Sequence, residues 1–383
     1  MDERRPSSQY GSRPDRRRSD RDAPSTSPRT SQKWTERPER VKTHVKIPDA
    51  IPYTTPASEF IYGTTAVEAA LRCSKRQLYK LYLYQAGEEE LGTVKSVLQK
   101  LALAKNVKVK IAFAEWDRLL DKMSLGRPHN GCVLEASPLP KTPVLALKSF
   151  EFEQDHFRVS LAPQTQEEAL VNGTNDQVAI NFSAVQQGPR HPVVLLLDGV
   201  VDPGNLGAII RSAYYLGADA VIFAGRNSAP LTPITIKASA GAAENMTLLT
   251  VKNEVDFIQR SKANGWQFYA ADAPEPGATY IDPASIHTHR SATEADGHNA
   301  KSLIGSAPSV IMMGNEGSGL SRHILSHADS IISIPGARII PGVITDPARV
   351  DSLNVSVAAA LLMETFLRVP LGVSPVARKE KTV

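Results

Sequence analysis

The chain has 383 residues, 42% of them hydrophobic, with 44 Lys and Arg against 40 Asp and Glu, a length that suits two domains plus extensions better than a single domain. No apolar run reaches the roughly 18 residues of a membrane span, and Cys73 and Cys132 stand far apart, without the Cys/His spacing of a zinc site or a disulfide framework; membrane and metal are therefore not expected as partners. The formal charge of +4 is concentrated, since residues 1–43 hold 12 Lys and Arg against 7 Asp and Glu and leave about −1 for the remainder.

Residues 1–55 are rich in Arg, Ser, Pro and Asp and almost lack large aliphatic side chains, so they are expected to remain a disordered basic leader. Such a leader reads as a solvated linker, as an RNA-tethering arm through Arg13, Arg16, Arg17 and Arg18, or as part of an organelle-targeting segment. Asp2, Glu3, Asp15, Asp20 and Asp22 count against a clean transit peptide, which is poor in acids. Between 57 and 138 the periodicity predicts a helix at 63–72, a strand at Leu78–Tyr84, a helix near 88–103, a strand at 107–112, a helix at 114–122 and a strand at 131–137. These make a small α/β domain. Residues 139–190 show weak periodicity and many Gln, Asn and Pro, and read as a linker with one added hairpin.

The second domain, 191–369, opens with VVLLLDGV at 193–200, an unbroken apolar run of the kind that forms a strand buried on both faces. A helix from about Gly207 to Leu216 and a second buried strand, AVIFAG, complete a βαβ unit, which implies a parallel sheet. Further strands are predicted at 247–251, 266–270, 309–313 and 330–334, and a last helix from Asn354 to Arg368. Residues 274–308 read as an insertion, and 370–383 as a tail.

Three segments carry chemistry. DPGNLGAIIRSA (202–213) lies where a buried strand gives way to a helix, the place where open α/β sheets bind ligands against free helix N–H groups. Asn205 and Arg211 are its candidate residues, although alone they read equally well as a helix cap and a solvated helix position. The dinucleotide fingerprint G-x-G-x-x-G is absent, which disfavours a nicotinamide cofactor. IMMGNEGSGL (311–320) places Glu316 in a glycine-rich loop; a carboxylate there repels phosphate and suits a cationic or hydroxyl-bearing ligand such as a sulfonium nucleoside. VDSLNVSVAAALLMETFL (350–367) begins with Ser352 and Asn354, typical capping residues, and continues as an apolar, Ala-rich helix.

Together, in this order, the three segments resemble motifs 1, 2 and 3 of the SpoU/TrmH branch of the SPOUT methyltransferases. KASAGAAEN (237–245) resembles the short K-x-S-x-G-A-x-E stretch that the family carries between motifs 1 and 2. FIYGTTAVEAAL resembles the start of the ribosomal-protein-like substrate-binding domain that precedes many of these enzymes. RPHNGCVLEASP (127–138) is similar to the family's H-Q-G-x-x-L segment, with Asn130 in place of Gln.

The resemblance implies an α/β fold whose carboxyl-terminal, parallel-sheet domain is tied in a trefoil knot and binds S-adenosylmethionine through the backbones of Gly314, Ile334 and Leu353. It implies 2′-O-methylation of a guanosine ribose in mitochondrial large-subunit rRNA by a homodimer. Arg211 would contact the target phosphate and ribose hydroxyl, Asn205 and Glu316 would orient Arg211 and the substrate, and Ser352 and Asn354 would complete the pocket. A tRNA ribose methyltransferase uses the same motifs and is the nearest alternative; a non-catalytic RNA-binding assembly factor would have no need of all five polar residues. The stretch at 337–350 is longer than the family's usual connection, so the adenosine contacts there are the least directly inherited.

Overall fold

The computed structural model describes residues 50–367 apart from 87–90, 114, 182–189, 225–228, 274–306, 335, 337–349 and 351. The leader through residue 49, the insertion at 274–306, nearly all of the long connection at 337–350 and the carboxyl tail lie outside the described residues. All described residues belong to one unit.

The first sheet is built by β1 (Glu59–Tyr62), β2 (Leu78–Tyr84), β3 (Lys108–Ala112) and β4 (Cys132–Ala136), with helices α1 (Thr64–Cys73), α2 (Thr93–Ala104) and α3 (Trp116–Met123) between them. Its order is β1-β4-β2-β3, with β4 antiparallel to both neighbours and β3 a parallel edge strand. Period-two alternation sorts the side chains into two layers. Ile61, Leu81, Leu83 and Leu134 pack beneath α1 and α2, while Phe60, Tyr62, Tyr82 and Val133 pack beneath Trp116, Leu119 and Met123 of α3. Before β4, Asn130 and Gly131 take positive φ values of 55° and 70°, and the Gly131 N–H donates to His129 Nδ1 at 3.0 Å. Asn tolerates this left-handed backbone better than a longer side chain does, which accounts for its presence in the turn.

The Tyr82 hydroxyl is buried with no hydrogen-bond partner among the described residues, and burial, aided by the charge of Glu135, pushes its pKa up to about 12. A group held protonated in the folded state contributes stability that is complete below its unfolded pKa, near 10, and is lost as pH rises through the folded value. Tyr82→Phe is therefore expected to preserve stability at pH 7 and to flatten the fall between about pH 10 and 12, as read by urea midpoints across that range.

The stretch at 139–190 is not a linker. Its described part forms β5 (Thr142–Leu147), β6 (His156–Leu161), α4 (Gln166–Asn172) and β7 (Gln177–Ala179), which extend the main sheet: β5 runs parallel to β10 (Leu248–Val251), then β6 and β7 follow antiparallel. Val144, Leu147, Phe157, Val159 and Val178 enter the same core as Phe257 and Trp266. The Trp266 indole N–H donates to the Lys148 carbonyl at 2.9 Å. Three strands of three to six residues, separated by polar loops, are too short to give a strong periodic signal.

The rest of the main sheet comes from β8 (Val193–Leu197), α5 (Pro203–Leu216), β9 (Ala220–Ala224), α6 (Pro233–Ala238), a 3-10 turn at Ala242–Glu244, β10, α7 (Glu254–Ala263), β11 (Gln267–Ala271), β12 (Ser309–Met313), α8 (Arg322–Leu325), β13 (Ser330–Ile332) and α9 (Val355–Leu367). The order is β13-β11-β12-β8-β9-β10-β5-β6-β7, parallel from β13 to β5. Every residue of β8, β9 and β12 is buried, as two-sided helical cover demands. From β8 the chain moves to β9 on one side and later returns to β12 on the other. The crevice at the carboxyl ends of β8 and β12 is thus a topological switch point, where open α/β sheets bind ligands.

Close packing fixes the helix that leaves β8. A Cβ at Gly207 would lie 2.5 Å from the Ala238 Cβ and 2.6 Å from the Thr235 carbonyl oxygen, so α5 and α6 meet backbone to backbone there. Gly207→Ala is expected to cost about 1–3 kcal/mol by overpacking, read as a lower urea midpoint.

Candidate active site at the switch point

Motif 1 is the cap and the first three turns of α5, with no loop between Asp202 and the helix. Pro203 occupies the opening helical position, and the Asp202 carboxylate accepts from the Asn205 N–H at 2.7 Å. This cap and the fixed φ of proline start the helix four residues before the predicted position at Gly207. Because Asp202 does the capping, the Asn205 side chain is released for other work.

That side chain joins the three motifs. Asn205 Nδ2 donates to Glu316 Oε1 in the loop after β12, and Asn205 Oδ1 accepts from Asn354 Nδ2 at 3.1 Å at the start of α9. Asn354 makes two kinds of contact: its Oδ1 accepts from the Ser356 N–H at 2.9 Å and the Ser356 hydroxyl at 2.6 Å, capping α9, while its amide nitrogen reaches Asn205. Residues 111 and 149 positions from Asn205 therefore meet on one amide.

Arg211 is exposed on α5, two turns beyond Asn205, and its side chain has no hydrogen bond or ion pair among the described residues. Asn205 and Glu316 bond each other and not Arg211, which departs from the expectation that they orient it. The guanidinium has all its donors open to a ligand. Ser352 is exposed two residues before the Asn354 cap.

The cofactor candidates also gather at the carboxyl edge. Gly314 follows β12 and is buried; a Cβ there would fall on backbone atoms of Gly319 and Leu320, so only glycine permits the loop to fold back. That fold is held by reciprocal backbone bonds between Asn315 and Gly319 at 3.0 and 2.9 Å. Asn315, which the sequence did not single out, ties this loop to the chain leaving β8 by donating from Nδ2 to the Gly199 carbonyl at 2.9 Å. Ile334 is half-buried just beyond β13, beside Ser333, whose buried hydroxyl has no partner among the described residues. Leu353 is 49% exposed. Asp198, at the end of β8, is held above the usual carboxylate range by burial, with the negative charge of Glu254 adding to the effect.

The stretch 237–245 has a function invisible in the sequence: it seats the amino-terminal domain. Lys237 donates to the Pro128 carbonyl and lies 5.1 Å from the centroid of the Tyr62 ring. A Cβ on Gly241, at φ +91°, would lie 2.5 Å from that of Ala69. Glu244 accepts from both Arg76 Nη2 and Arg76 Nε, the latter at 3.1 Å, and both side chains are fully buried. Arg76 Nη1 also reaches Glu59 at 3.2 Å and the Ser137 carbonyl at 3.0 Å. Burial nevertheless raises the pKa of Glu59.

Residues 192–364 match the SpoU rRNA methylase family, and residues 60–142 match the RNA 2′-O ribose methyltransferase substrate-binding family. The chain is 30% identical over 313 residues to a mitochondrial rRNA methyltransferase 1 of Saccharomyces cerevisiae, spanning 82% of this chain and 70% of that protein. The chain belongs to the SpoU rRNA methylase family. A 23S rRNA (guanosine-2′-O-)-methyltransferase of Haemophilus influenzae is 29% identical, over 82% of this chain and 99% of that one. The fold is that of an AdoMet-bound rRNA methyltransferase from Sinorhizobium meliloti, with a TM-score of 0.53 at 21% identity, covering 82% of this chain and 89% of that one. All eight candidate site residues fall inside the SpoU match, whereas 143–191, which contains most of the added sheet edge, lies between the two matches.

Among the described residues, no helix is long and apolar enough to cross a membrane, and no group of three His, Cys, Asp or Glu is placed to hold a metal.

Proposed function

We propose that this chain transfers a methyl group from S-adenosylmethionine to the 2′-hydroxyl of a guanosine ribose in mitochondrial large-subunit rRNA. The observation that carries the reading is the convergence of Glu316 and Asn354 on Asn205 at the switch point, on the helix that also carries Arg211, exposed and without an ion pair among the described residues. The yeast and bacterial relatives, named for rRNA, mitochondrial and guanosine-2′-O activity, support the substrate and the compartment.

The residues present fit the cofactor. The folded-back loop at Gly314 and the orphaned Ser333 hydroxyl beside Ile334 give a backbone cradle with one unspent polar group, and Gly314, Ile334 and Leu353 would hold the adenosine. S-adenosylmethionine, when bound, supplies a methyl group on a positively charged sulfur whose departure needs no acid. The remaining task for the chain is to align a ribose hydroxyl and let its proton go. Arg211 does this as a positioner: its planar fork grips the target phosphate and polarises the hydroxyl, while a guanidinium, always protonated, does not take the proton. The proton passes late to water or a phosphate oxygen. Asn205, Glu316, Ser352 and Asn354 fix the wall against which the ribose rests.

In this reading, residues 57–138 bind substrate RNA, and 191–369 form the catalytic domain, tied in a trefoil knot by the chain after motif 2. The enzyme works as a homodimer. Arg211, Tyr214 and Tyr215 share one stripe of α5, Tyr215 is 86% exposed, and α9, packed on α5, presents Val357 and Leu361 to solvent. Purified protein is expected to run as a dimer by light scattering, and an active monomer would sink this part. Labelled methyl groups are expected in large-subunit rRNA transcripts as alkali-resistant dinucleotides; incorporation into tRNA alone would overturn the substrate assignment.

A further inference from the structure

The outer edge of the first sheet carries a group of cations that the proposed chemistry does not use. Lys80 on β2 is in register with Lys108 on β3, and Tyr82 with Lys110. Register partners in a parallel pair project from the same face, so Lys80, Lys108 and Lys110 stand together. The Lys110 ammonium lies 3.7 Å from the centroid of the Trp116 ring, and that of Lys80 5.6 Å from the Tyr82 ring. Trp116 and Tyr82 are buried, so they form a floor under the ammonium groups rather than a surface on which bases stack.

Among the described residues, none of the three forms an ion pair. The carboxylate nearest in register to Lys80 is Glu135, which is buried and takes its hydrogen bonds from the Thr54 N–H and from the Thr54 hydroxyl at 2.8 Å. Burial and the neighbouring Lys80 charge both lower the pKa of Lys110. Like charges are thus held side by side on rigid strands, at a cost that an incoming polyanion would relieve.

We propose that Lys80, Lys108 and Lys110 form a docking site for the phosphate backbone of the substrate RNA, separate from the methyl-transfer site. The proposal rests on RNA being the substrate. It competes with a simpler role, since lysines on an edge strand also block pairing with another sheet.

The test uses the full chain and a large-subunit rRNA fragment, with the dissociation constant measured across a salt series. For K80Q/K108Q/K110Q the slope of log affinity against log salt is expected to shrink by about 2 to 3, and for K108Q alone, an exposed position with no fold role, by about 1. Affinity at 0.15 M salt should fall about tenfold or more in the triple variant, with S-adenosylmethionine binding and turnover at saturating RNA unchanged. An unaltered slope overturns the site, and self-association of the triple variant with unaltered RNA affinity assigns the lysines to edge protection instead. If the triple variant does not fold, the K108Q slope decides alone. A parent protein that binds neither rRNA nor tRNA overturns the substrate reading and the site with it; a parent that binds tRNA and not rRNA, with slopes that shrink in the variants, keeps the site and overturns the rRNA assignment.

Discussion

Arg211→Lys is expected to lower turnover by about 100-fold or more while leaving RNA affinity, cofactor affinity and thermal stability within a few-fold or a degree or two of the parent. Stability is spared because the Arg211 side chain is exposed and unpaired among the described residues, and such surface positions usually tolerate substitution within about 0.5 kcal/mol. RNA affinity is largely spared because the charge remains. What disappears is the planar fork, and with it the alignment of phosphate and hydroxyl, where a displacement of about 1 Å already costs about 100-fold. A base role makes the opposite forecast. Lysine deprotonates several pH units below arginine, so a base would be restored in the variant as pH rises toward 10. A pH–rate profile for Arg211→Lys that climbs to the parental rate near pH 10, or turnover within threefold of the parent at pH 8, would contradict positioning.

The second large effect lies away from the chemistry. Arg76→Met leaves the Glu244 carboxylate, whose side chain is fully buried, without its bidentate partner, and is expected to destabilise the protein by about 3–5 kcal/mol. Pairing it with Glu244→Leu should recover most of that loss, because an apolar pair of similar volume avoids the desolvation cost altogether. Urea denaturation of the two single variants and the double variant reads this directly. Additive losses would show that the two side chains do not act as a pair. The double variant also separates stability from domain placement: with folding restored, a raised KM for RNA at unchanged kcat would show that the joint sets where the substrate-binding domain sits.

Much of this architecture was legible in the sequence. Strand β2 was predicted with the observed bounds, and β8, β9 and β12 announced themselves as unbroken apolar runs. The site residues were legible only as an ordered set of motifs, since Asn205, Ser352 and Asn354 each pass for helix caps. The structure shows why that ambiguity is real: Asn354 caps α9 and also bonds Asn205 across the switch point. Pairings distant in sequence left no local trace. Nothing near Arg76 points to Glu244, 168 residues away, and nothing near Lys237 points to Pro128. The start of α5 was missed because proline and glycine in DPGN read as a turn, although Asp202 followed by Pro203 is also a strong helix-opening pair. Where the sequence offered a linker with one hairpin, the structure has β5 to β7 on the edge of the main sheet; their apolar positions are few and separated by polar loops, so contact with Phe257 and Trp266 rather than local pattern makes them strands.

The central claim, ribose methylation of mitochondrial large-subunit rRNA, is tested most directly by mapping 2′-O-methyl groups across mitochondrial rRNA and tRNA from cells with the gene, without it, and with the Arg211→Lys form. Loss of methylation at one large-subunit rRNA guanosine, restored by the parent gene and not by Arg211→Lys, is the predicted result. An unchanged rRNA map, or loss confined to tRNA, would contradict it.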